Sequence, residues 1–278
     1  TALSEYRDAN RVNRRTMTFA YLTWWSSPFG WKKVWEDPPF RNLLYDGARR
    51  QAESLGISLD HFSLAERGMT ARRLDQIFRA RGIQGILAAS FLERNQTLQL
   101  SWPRYAYVKI DNSPIETPAH KVRSDTLAAV QGAYRTARER GYKRIGLAIR
   151  RIWNEKNDDF ILMGFLRAQT ICEDEGAIPP FVHEAKRPHQ AFSQWFDLNR
   201  PDVVVSLDPF FLPLARMCGI RIPDDVAYLS FDNKCESGEI AGFRQRHREV
   251  GAAAVDLIAA MINRNEFGLP KIPQTLNV

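Results

Sequence analysis

The sequence has no long hydrophobic run and few cysteines. No stretch of about 18 consecutive apolar residues occurs in the 278-residue chain, so the sequence predicts no membrane-spanning helix. Its three cysteines form no CxxC pair, and their odd number argues against a disulfide framework: Cys172, Cys218 and Cys235. We therefore expect buried, reduced thiols in a cytoplasmic protein without a membrane partner.

The usual patterns of catalysis and cofactor binding are also missing. No GxGxxG follows a predicted strand, and the chain has neither a GxxxxGK[ST] phosphate loop nor a GxSxG nucleophile elbow. The five histidines show no HExxH-like spacing. The adjacent carboxylates of Asp158–Asp159 and Asp224–Asp225 point in diverging directions, so neither pair forms a glycosidase dyad. These absences predict a protein that is not an enzyme and that uses no cofactor or metal ion.

The charge balance is modestly basic, with 39 Lys and Arg against 32 Asp and Glu and a net charge of +7. Part of the excess lies in an amino-terminal arm rich in arginine: Arg7, Arg11, Arg14 and Arg15. Such an arm fits a nucleic-acid partner, although an arm that is simply solvated is at least as common. Thr1 is not a start methionine, and TALSEYRDAN has no apolar signal core, which favours a fragment or a processed form.

Short apolar runs alternate with amphipathic stretches, and most of these stretches end at a glycine. Strands are predicted at 16–23, 57–62, 83–90, 105–111, 144–149, 202–207 and 226–232, and helices at 38–56, 69–82, 125–140, 158–176, 209–218 and 247–264. Strands that are apolar on both faces and alternate with helices predict parallel sheets covered on both sides. The chain length favours two doubly wound α/β halves over one very large sheet.

The stretch GYKRIGLAI, which begins at Gly141, illustrates the repeated unit. Gly141 is predicted to end a helix in the left-handed conformation, and Lys143 and Arg144 to lie where the dipole of that helix favours cations. An apolar strand follows at once. No fixed-period sequence repeat accompanies the pattern, which excludes a solenoid.

Ligands in folds of this kind bind near the carboxyl ends of the parallel strands. Polar or aromatic residues follow the apolar runs at these predicted ends, and we select from them the candidate ligand-binding residues Trp24, Trp25, Ser90, Phe91, Asp208 and Asp232. The segment after the first strand, WWSSPFGWKKVWEDPPF, is unusually aromatic. Aromatic rings stack on sugars, bases or cations. This loop either lines a ligand cleft or packs on its own half of the molecule or at a dimer contact.

Four segments resemble, in order and spacing, the lactose/galactose-repressor (LacI/GalR) family of transcription regulators: GYKRIGLAI, DDFILMGFLRA, NRPDVVVSLDPFFLPLARMCGIRIPDDVAYLSFDN and FRQRHREVGAAAVDLIAAMI. The resemblance covers about residues 15–278 and is most specific at 219–233. ALSEYR resembles the linker that follows the helix-turn-helix headpiece of that family. The resemblance implies the effector-binding and dimerisation core of a regulator that contacts operator DNA through a headpiece absent from this sequence.

The same resemblance implies a periplasmic-binding-protein-like (type I) fold of two lobes joined by three crossovers. A carbohydrate-like small molecule would bind in the cleft between the lobes and thereby change the affinity for DNA. The implied parts are a linker or basic arm at 1–14, one lobe at 15–141 plus 235–264, and a second lobe at 142–234 plus 265–278.

Three residues match ligand-binding positions of the family. Asp232 matches the acidic residue that accepts hydrogen bonds from effector hydroxyls in sugar-binding members. Gln245 matches the polar residue of an Arg-Gln segment, and Asp125 matches the aspartate that opens the helix before Gly141. For Asp125 an ordinary helix N-cap is an equally good interpretation, and for Asp232 a carboxylate that caps a turn is an alternative.

Two departures place a standard sugar effector in doubt. Ile161 stands where the family usually has an arginine that clamps sugar hydroxyls or a carboxylate, and Leu207 stands where it usually has an asparagine. The missing arginine makes an effector anchored by a carboxylate or phosphate on that side less expected.

Two functions from different classes remain open on sequence grounds. The first is a cytoplasmic, homodimeric transcription regulator, with the aliphatic faces of the helices at 38–55 and 69–81 as candidate dimer contacts. The second is an extracytoplasmic sugar-binding protein of a transporter, which would have the same fold and no DNA partner. The basic arm, the ALSEYR linker and the lack of a signal peptide favour the regulator. A hydrolase on the same scaffold has no motif to support it.

Overall fold

The structure is a computed structural model of the chain. It describes residues 17–24, 39–89, 98–111, 116–173, 176–184, 188–207, 211–233 and 239–278. Four of the predicted ligand-binding residues lie outside this described part: Trp25, Ser90, Phe91 and Asp208. Residues 25–38 of the aromatic loop also lie outside it.

The chain divides into two compact units. Unit 1 joins Thr1–Arg123 to His247–Val278, and unit 2 comprises Ser124–Arg246. The chain therefore passes between the units twice, and the third crossover that the resemblance implied is not found.

The predicted lobe boundaries are wrong at three places. The segment 235–246, predicted in the first lobe, belongs to unit 2, where the N–H of Phe243 donates to the carbonyl of Ser230. The helix before Gly141 belongs to unit 2, because it packs there against the helix at 160–171. The carboxyl-terminal segment 265–278 belongs to unit 1, because its strand at 275–277 pairs with the strand at 120–123. In each of these segments the hydrophobic pattern does not tell which sheet the segment joins.

Unit 1 contains a six-stranded parallel sheet with three helices, and elements are numbered along the whole chain. The strands are β1 (Thr18–Thr23), β2 (Ser58–Ser63), β3 (Gly85–Ala88), β4 (Ala106–Ile110), β5 (His120–Arg123) and β10 (Thr275–Asn277), and the helices are α1 (Pro39–Ser54), α2 (Ala71–Arg81) and α8 (His247–Asn263). The strand order is β10-β5-β4-β3-β1-β2, and the paired strands run parallel throughout.

Alternate residues of these strands enter two separate hydrophobic clusters, as the pleat of a strand requires. Phe19 and Tyr21 of β1 belong to the cluster under α1 and α8, whereas Leu22 belongs to the cluster that contains Phe78 of α2. Both faces of β1 are thus buried, in agreement with the prediction from its continuous apolar run.

The aliphatic faces of α1 and α2 are buried inside unit 1. Leu44 and Ala48 of α1 pack in the cluster that includes α8, and Leu74 and Phe78 of α2 pack in the opposite cluster. The prediction that these faces form a dimer contact is therefore wrong, because the sheet already covers them.

Unit 2 contains a four-stranded parallel sheet with the strand order β7-β6-β8-β9. The strands are β6 (Ile145–Arg150), β7 (Phe181–His183), β8 (Val203–Ser206) and β9 (Ala227–Ser230), and the helices are α3 (Thr126–Glu139), α4 (Arg151–Lys156), α5 (Phe160–Ile171), α6 (His189–Asn199) and α7 (Phe211–Met217). Residues of β6 and β8 again contribute to two clusters on opposite faces. In the described ranges of both units, no helix is long and apolar enough to cross a membrane.

Every strand and helix predicted from the sequence has a counterpart. The predicted helix at 158–176 is shorter, because Asp158 and Asp159 both have positive φ values, 52° and 62°, and the helix begins only after them. In the described part of the chain, the sequence interpretation missed a 3₁₀ helix at Trp102–Arg104, three strands of only three or four residues and two α-helices: β5, β7, β10, α4 and α6.

Gly141 follows the end of α3 with a φ of 93°, which confirms its predicted left-handed conformation. The role predicted for Arg144 is wrong, because its guanidinium Nε donates to the carbonyl oxygens of Asn199 and Arg200, at the end of α6. The backbone N–H groups of Lys143 and Arg144 donate to the carboxylate of Asp202 at 2.7 and 3.0 Å. The basic turn therefore joins α6 and β8 rather than neutralising the end of α3.

Candidate ligand-binding site

Asp232 follows β9 at the carboxyl end of the unit 2 sheet and is buried, with 7% of its surface exposed. Its backbone N–H donates to the Ser230 hydroxyl at 3.2 Å, and the N–H of Phe231 donates to the carbonyl of Ser206 on the adjacent strand. These bonds fix the backbone on both sides of the aspartate. A carboxylate at the carboxyl end of a parallel strand lies where ligands commonly bind in such folds.

A segment beyond Asp232 returns alongside β9 and leads to Gln245. Ser230 and Phe243 are joined by a backbone bond of 2.8 Å, and the N–H of Asn233 donates to the Phe243 carbonyl at 2.6 Å. Gln245, only two residues after Phe243, is half-buried. The structure therefore places Asp232 and Gln245 on neighbouring stretches of backbone, although they are thirteen residues apart in sequence.

Asp125 is an N-cap. Its Oδ1 accepts a hydrogen bond of 3.0 Å from the N–H of Ala128 in the first turn of α3, and its side chain is exposed. The next residue, Thr126, donates its hydroxyl hydrogen to Oδ1 of Asn157, in the turn between α4 and α5. The ordinary interpretation of Asp125 is thus correct, and a role in binding a ligand would have to come in addition to it.

The turn between α4 and α5 is stabilised by Asn154. This buried side chain donates to the carboxylate of Asp159 at 2.7 Å and accepts from the N–H of Leu162 at 2.9 Å. The two contacts hold the left-handed Asp158–Asp159 pair in place, a conformation that is uncommon for residues other than glycine. The turn, which is separated from the end of β6 by the short helix α4, therefore has a defined backbone.

Ile161 is fully buried in the cluster that contains Val130 and Phe165. The position that carries a polar clamp in the resembled family is therefore part of the hydrophobic core of unit 2. Leu207, which follows β8, is half-buried and packs against the same cluster. Both departures seen in the sequence correspond to apolar packing.

In unit 1, Trp24 follows β1 and packs, half-buried, against the cluster that includes Phe78. This contact agrees with the interpretation in which the tryptophan packs on its own half of the molecule. Among the predicted site residues, Asp232 and Gln245 lie on neighbouring backbone segments of unit 2, whereas Trp24 lies in unit 1. Within the described ranges, no group of three His, Cys, Asp or Glu residues could hold a metal ion.

The sequence interpretation missed a polar pair at the same end of the unit 1 sheet. Nε2 of His61 lies 2.8 Å from Oγ1 of Thr23, between the neighbouring strands β2 and β1. Burial lowers the pKa of His61 from about 6.5 to about 4, so the imidazole is neutral near pH 7. The alternation of β2 could have indicated His61, since Phe62 on the other face is apolar.

Two α/β units, each with a parallel sheet and flanking helices, form a periplasmic-binding-protein-like fold. No family model and no curated protein sequence gives a significant match to the chain. Solved structures do match it. A LacI-family transcriptional regulator from Rhizobium etli has a TM-score of 0.67 at 18% identity, and the match covers 95% of each chain.

Two of the similar structures contain a sugar. The transcriptional regulator CelR in complex with cellobiose has a TM-score of 0.64 at 19% identity, covering 98% of this chain and 86% of that one. A LacI-family regulator from Enterococcus faecium with bound ribose has a TM-score of 0.61 at 16% identity, covering 94% of each chain. At such identities the likeness establishes a shared fold, which is that of the LacI-family regulators.

Proposed function

We propose that this chain is the effector-binding core of a DNA-binding transcription regulator and that its effector is a small carbohydrate or carbohydrate derivative. The observation that carries the proposal is the shared fold. Transcription regulators match this fold over nearly the whole chain, and two of the matching structures have a sugar bound. In the proposed activity, binding of the effector changes the affinity of the regulator for DNA, and this coupling needs no catalytic group.

Asp232 is the residue that we propose as the main acceptor for effector hydroxyls. The carboxylate follows a strand at the carboxyl edge of the sheet, is 7% exposed, and has its backbone fixed by Ser230. A buried carboxylate can accept two hydrogen bonds from adjacent hydroxyls, which are abundant on sugars and rare on most other metabolites. We propose Gln245, on the neighbouring segment, as a second contact, since its side-chain amide carries both donors and an acceptor.

A calorimetric screen of mono- and disaccharides tests this assignment. We expect the parent to bind at least one sugar, and Asp232→Ala to bind it about 10- to 100-fold more weakly, because hydrogen bonds to a charged group contribute about 1.5–3 kcal/mol. Asp224→Ala is the matched control, since Asp224 is exposed in the turn that precedes β9. Equal affinity of the parent and Asp232→Ala for the same sugar would remove Asp232 from the site.

The DNA half of the proposal concerns residues encoded before Thr1. A helix-turn-helix there supports the regulator, whereas a signal peptide or lipobox would favour the transporter-associated binding protein. The chain itself should bind DNA only through the arginines of its amino-terminal arm, without sequence preference and with a steep loss of affinity as salt rises. Salt-resistant binding of this chain to one particular duplex in a mobility-shift assay would contradict the proposal that residues encoded before Thr1 recognise the DNA sequence.

We also propose that the core is a homodimer, because a regulator that reads a two-fold operator needs a two-fold arrangement. Sedimentation at micromolar concentration should give about twice the 31.9 kDa mass of one chain. The contact must involve surfaces other than the aliphatic faces of α1 and α2, which are buried in unit 1. A monomer at that concentration would contradict the homodimer.

A further inference from the structure

Phe243 is hydrogen-bonded to the backbone on both sides of Asp232. Its N–H donates to the carbonyl of Ser230 at 2.8 Å, and its own carbonyl accepts from the N–H of Asn233 at 2.6 Å. The hydroxyl of Ser230 also accepts a hydrogen bond from the N–H of Asp232 at 3.2 Å. Phe243 therefore holds the backbone before and after the buried carboxylate. We call residues 240–243, which end at this phenylalanine, the strap.

Further contacts fasten the strap to the end of β9. The N–H of Ser230 donates to the carbonyl of Ala241 at 2.9 Å, and the side-chain amide of Asn233 donates to the carbonyl of Ile240. Gly242 allows this close approach, because a β-carbon at that position would lie 2.3 Å from the carbonyl oxygen of Ser230. The strap is thus joined to β9 mainly through its backbone.

The ring of Phe243 anchors the strap to the rest of unit 2. A β-carbon on Gly132 of α3 would lie 3.2 Å from Cε1 of this ring, so the ring covers the glycine. Phe243 is half-buried and packs against the cluster that contains Val130 and Phe165. In the part of the chain that the structure describes, it is the one residue of the strap that packs against a hydrophobic cluster. We therefore expect the strap to loosen when this ring is removed.

We propose that Phe243 is a positioning residue of the effector site, which acts on the effector through Asp232. The proposal rests on the proposed function, because it takes Asp232 as the acceptor for effector hydroxyls. A carboxylate on a fixed backbone loses less conformational entropy on binding than one that samples several orientations. By holding the residues on both sides of Asp232, Phe243 keeps this entropy loss small.

Hydrogen exchange of the unliganded protein tests the positioning without any sugar. Phe243→Ala should speed the exchange of the amide hydrogens of residues 228–233 several-fold, since loss of the ring lets the strap open locally. Tyr142→Ala is the matched control and should leave this exchange unchanged. Tyr142 packs, half-buried, against the same cluster but precedes β6, at the opposite end of the sheet. Unchanged exchange in Phe243→Ala would overturn the proposal.

Calorimetry with the sugar that binds the parent most tightly in the mono- and disaccharide screen tests the effect on binding. Phe243→Ala should bind that sugar about tenfold more weakly, because Asp232 is then ordered only on binding. Phe243→Leu should stay within about twofold of the parent, since leucine still packs on α3. Tyr142→Ala should bind like the parent. Melting temperatures verify that the three variants are folded at the temperature of the measurement.

A double-mutant cycle separates an action through Asp232 from an independent one. If Phe243 acts by positioning the carboxylate, its replacement should cost less than about twofold in sugar affinity once Asp232→Ala has removed that carboxylate. The same tenfold loss in the parent and in the Asp232→Ala background would overturn the proposal, because Phe243 would then act on the sugar by another route.

The remaining outcomes distinguish this proposal from the proposed function. If the parent binds a sugar and Phe243→Ala binds it equally well, or if Tyr142→Ala loses as much affinity as Phe243→Ala, the positioning role is wrong and the regulator proposal stands. If the parent binds no sugar in the screen, the proposed function and the effector role of Phe243 fall together. The exchange experiment then still decides whether Phe243 fixes the backbone around Asp232.

Discussion

The carbonyl oxygen of Leu44 on α1 occupies the place that a β-carbon on Gly251 of α8 would take. The same relationship recurs one turn away, where a β-carbon at Gly47 would overlap the carbonyl of Arg248. Two glycines, one on each helix, therefore allow the backbones of α1 and α8 to touch. This contact joins the amino-terminal part of unit 1 to the helix that follows the second passage of the chain.

Gly251→Ala should destabilise the protein by about 1–3 kcal/mol, because the added methyl group meets the backbone of Leu44 and Ala48 rather than a side chain that can rotate away. Urea unfolding measures the change. Gly132→Ala on α3 is the control, since its new methyl group meets only the ring of Phe243. Similar costs for the two variants would show that the helices can separate without loss.

Tyr105 and Tyr107 provide a matched pair of buried hydroxyls on one face of the sheet. The Tyr105 hydroxyl donates to Oδ1 of Asp75 at 2.9 Å, whereas the buried Tyr107 hydroxyl finds no hydrogen-bond partner among the residues that the structure describes. Burial raises the pKa of Tyr107, and burial together with the hydrogen bond to Asp75 raises that of Tyr105. Both phenols are therefore neutral near pH 7.

Tyr105→Phe should cost about 1–2 kcal/mol, because it removes a hydrogen bond to a charged acceptor. Tyr107→Phe should be neutral or stabilising, because it removes a buried polar group that gains nothing in the folded state. Chemical denaturation of both variants checks the contrast. A cost for Tyr107→Phe as large as that for Tyr105→Phe would reveal a partner for the second hydroxyl.

His61 should make the stability of the protein depend on pH. Burial lowers its pKa in the folded state to about 4, whereas in the unfolded chain the value is about 6.5. Between these values the unfolded state binds the extra proton, so the contribution is fully present above about pH 6.5 and is lost as the pH falls towards 4. The denaturation midpoint of His61→Gln should therefore fall less than that of the parent between pH 7 and pH 5. Parallel curves would show that other groups cause the acid loss.

The parts of the fold that could be predicted are those whose apolar pattern is continuous. The six residues of β1 are buried or nearly so, and Gly82 and Gly141 end their helices as predicted. Strand β5 was missed because its sequence, HKVR, carries three basic or titratable side chains and only one apolar residue. That composition follows from its position beside the edge strand β10, where the sheet has few apolar neighbours.

The candidate site was predictable only in part, because a polar residue at a strand end has the same sequence pattern whether it binds a ligand or caps a helix. Asp125 caps α3, and the partner of His61 lies on another strand, 38 residues away.

The last prediction concerns Ile161, the position where the resembled family has an arginine. Ile161 is fully buried beside Phe165, so Ile161→Arg should place an unpaired charge in the core and destabilise the protein by several kcal/mol. Met163→Arg introduces the same residue on the same helix at a position that is 52% exposed, and should be nearly neutral. Thermal and urea unfolding compare the two. If Ile161→Arg is as stable as Met163→Arg and also binds a sugar more tightly than the parent, the side chain at position 161 faces the ligand. In that case the apolar packing around Ile161 does not explain why an arginine is missing.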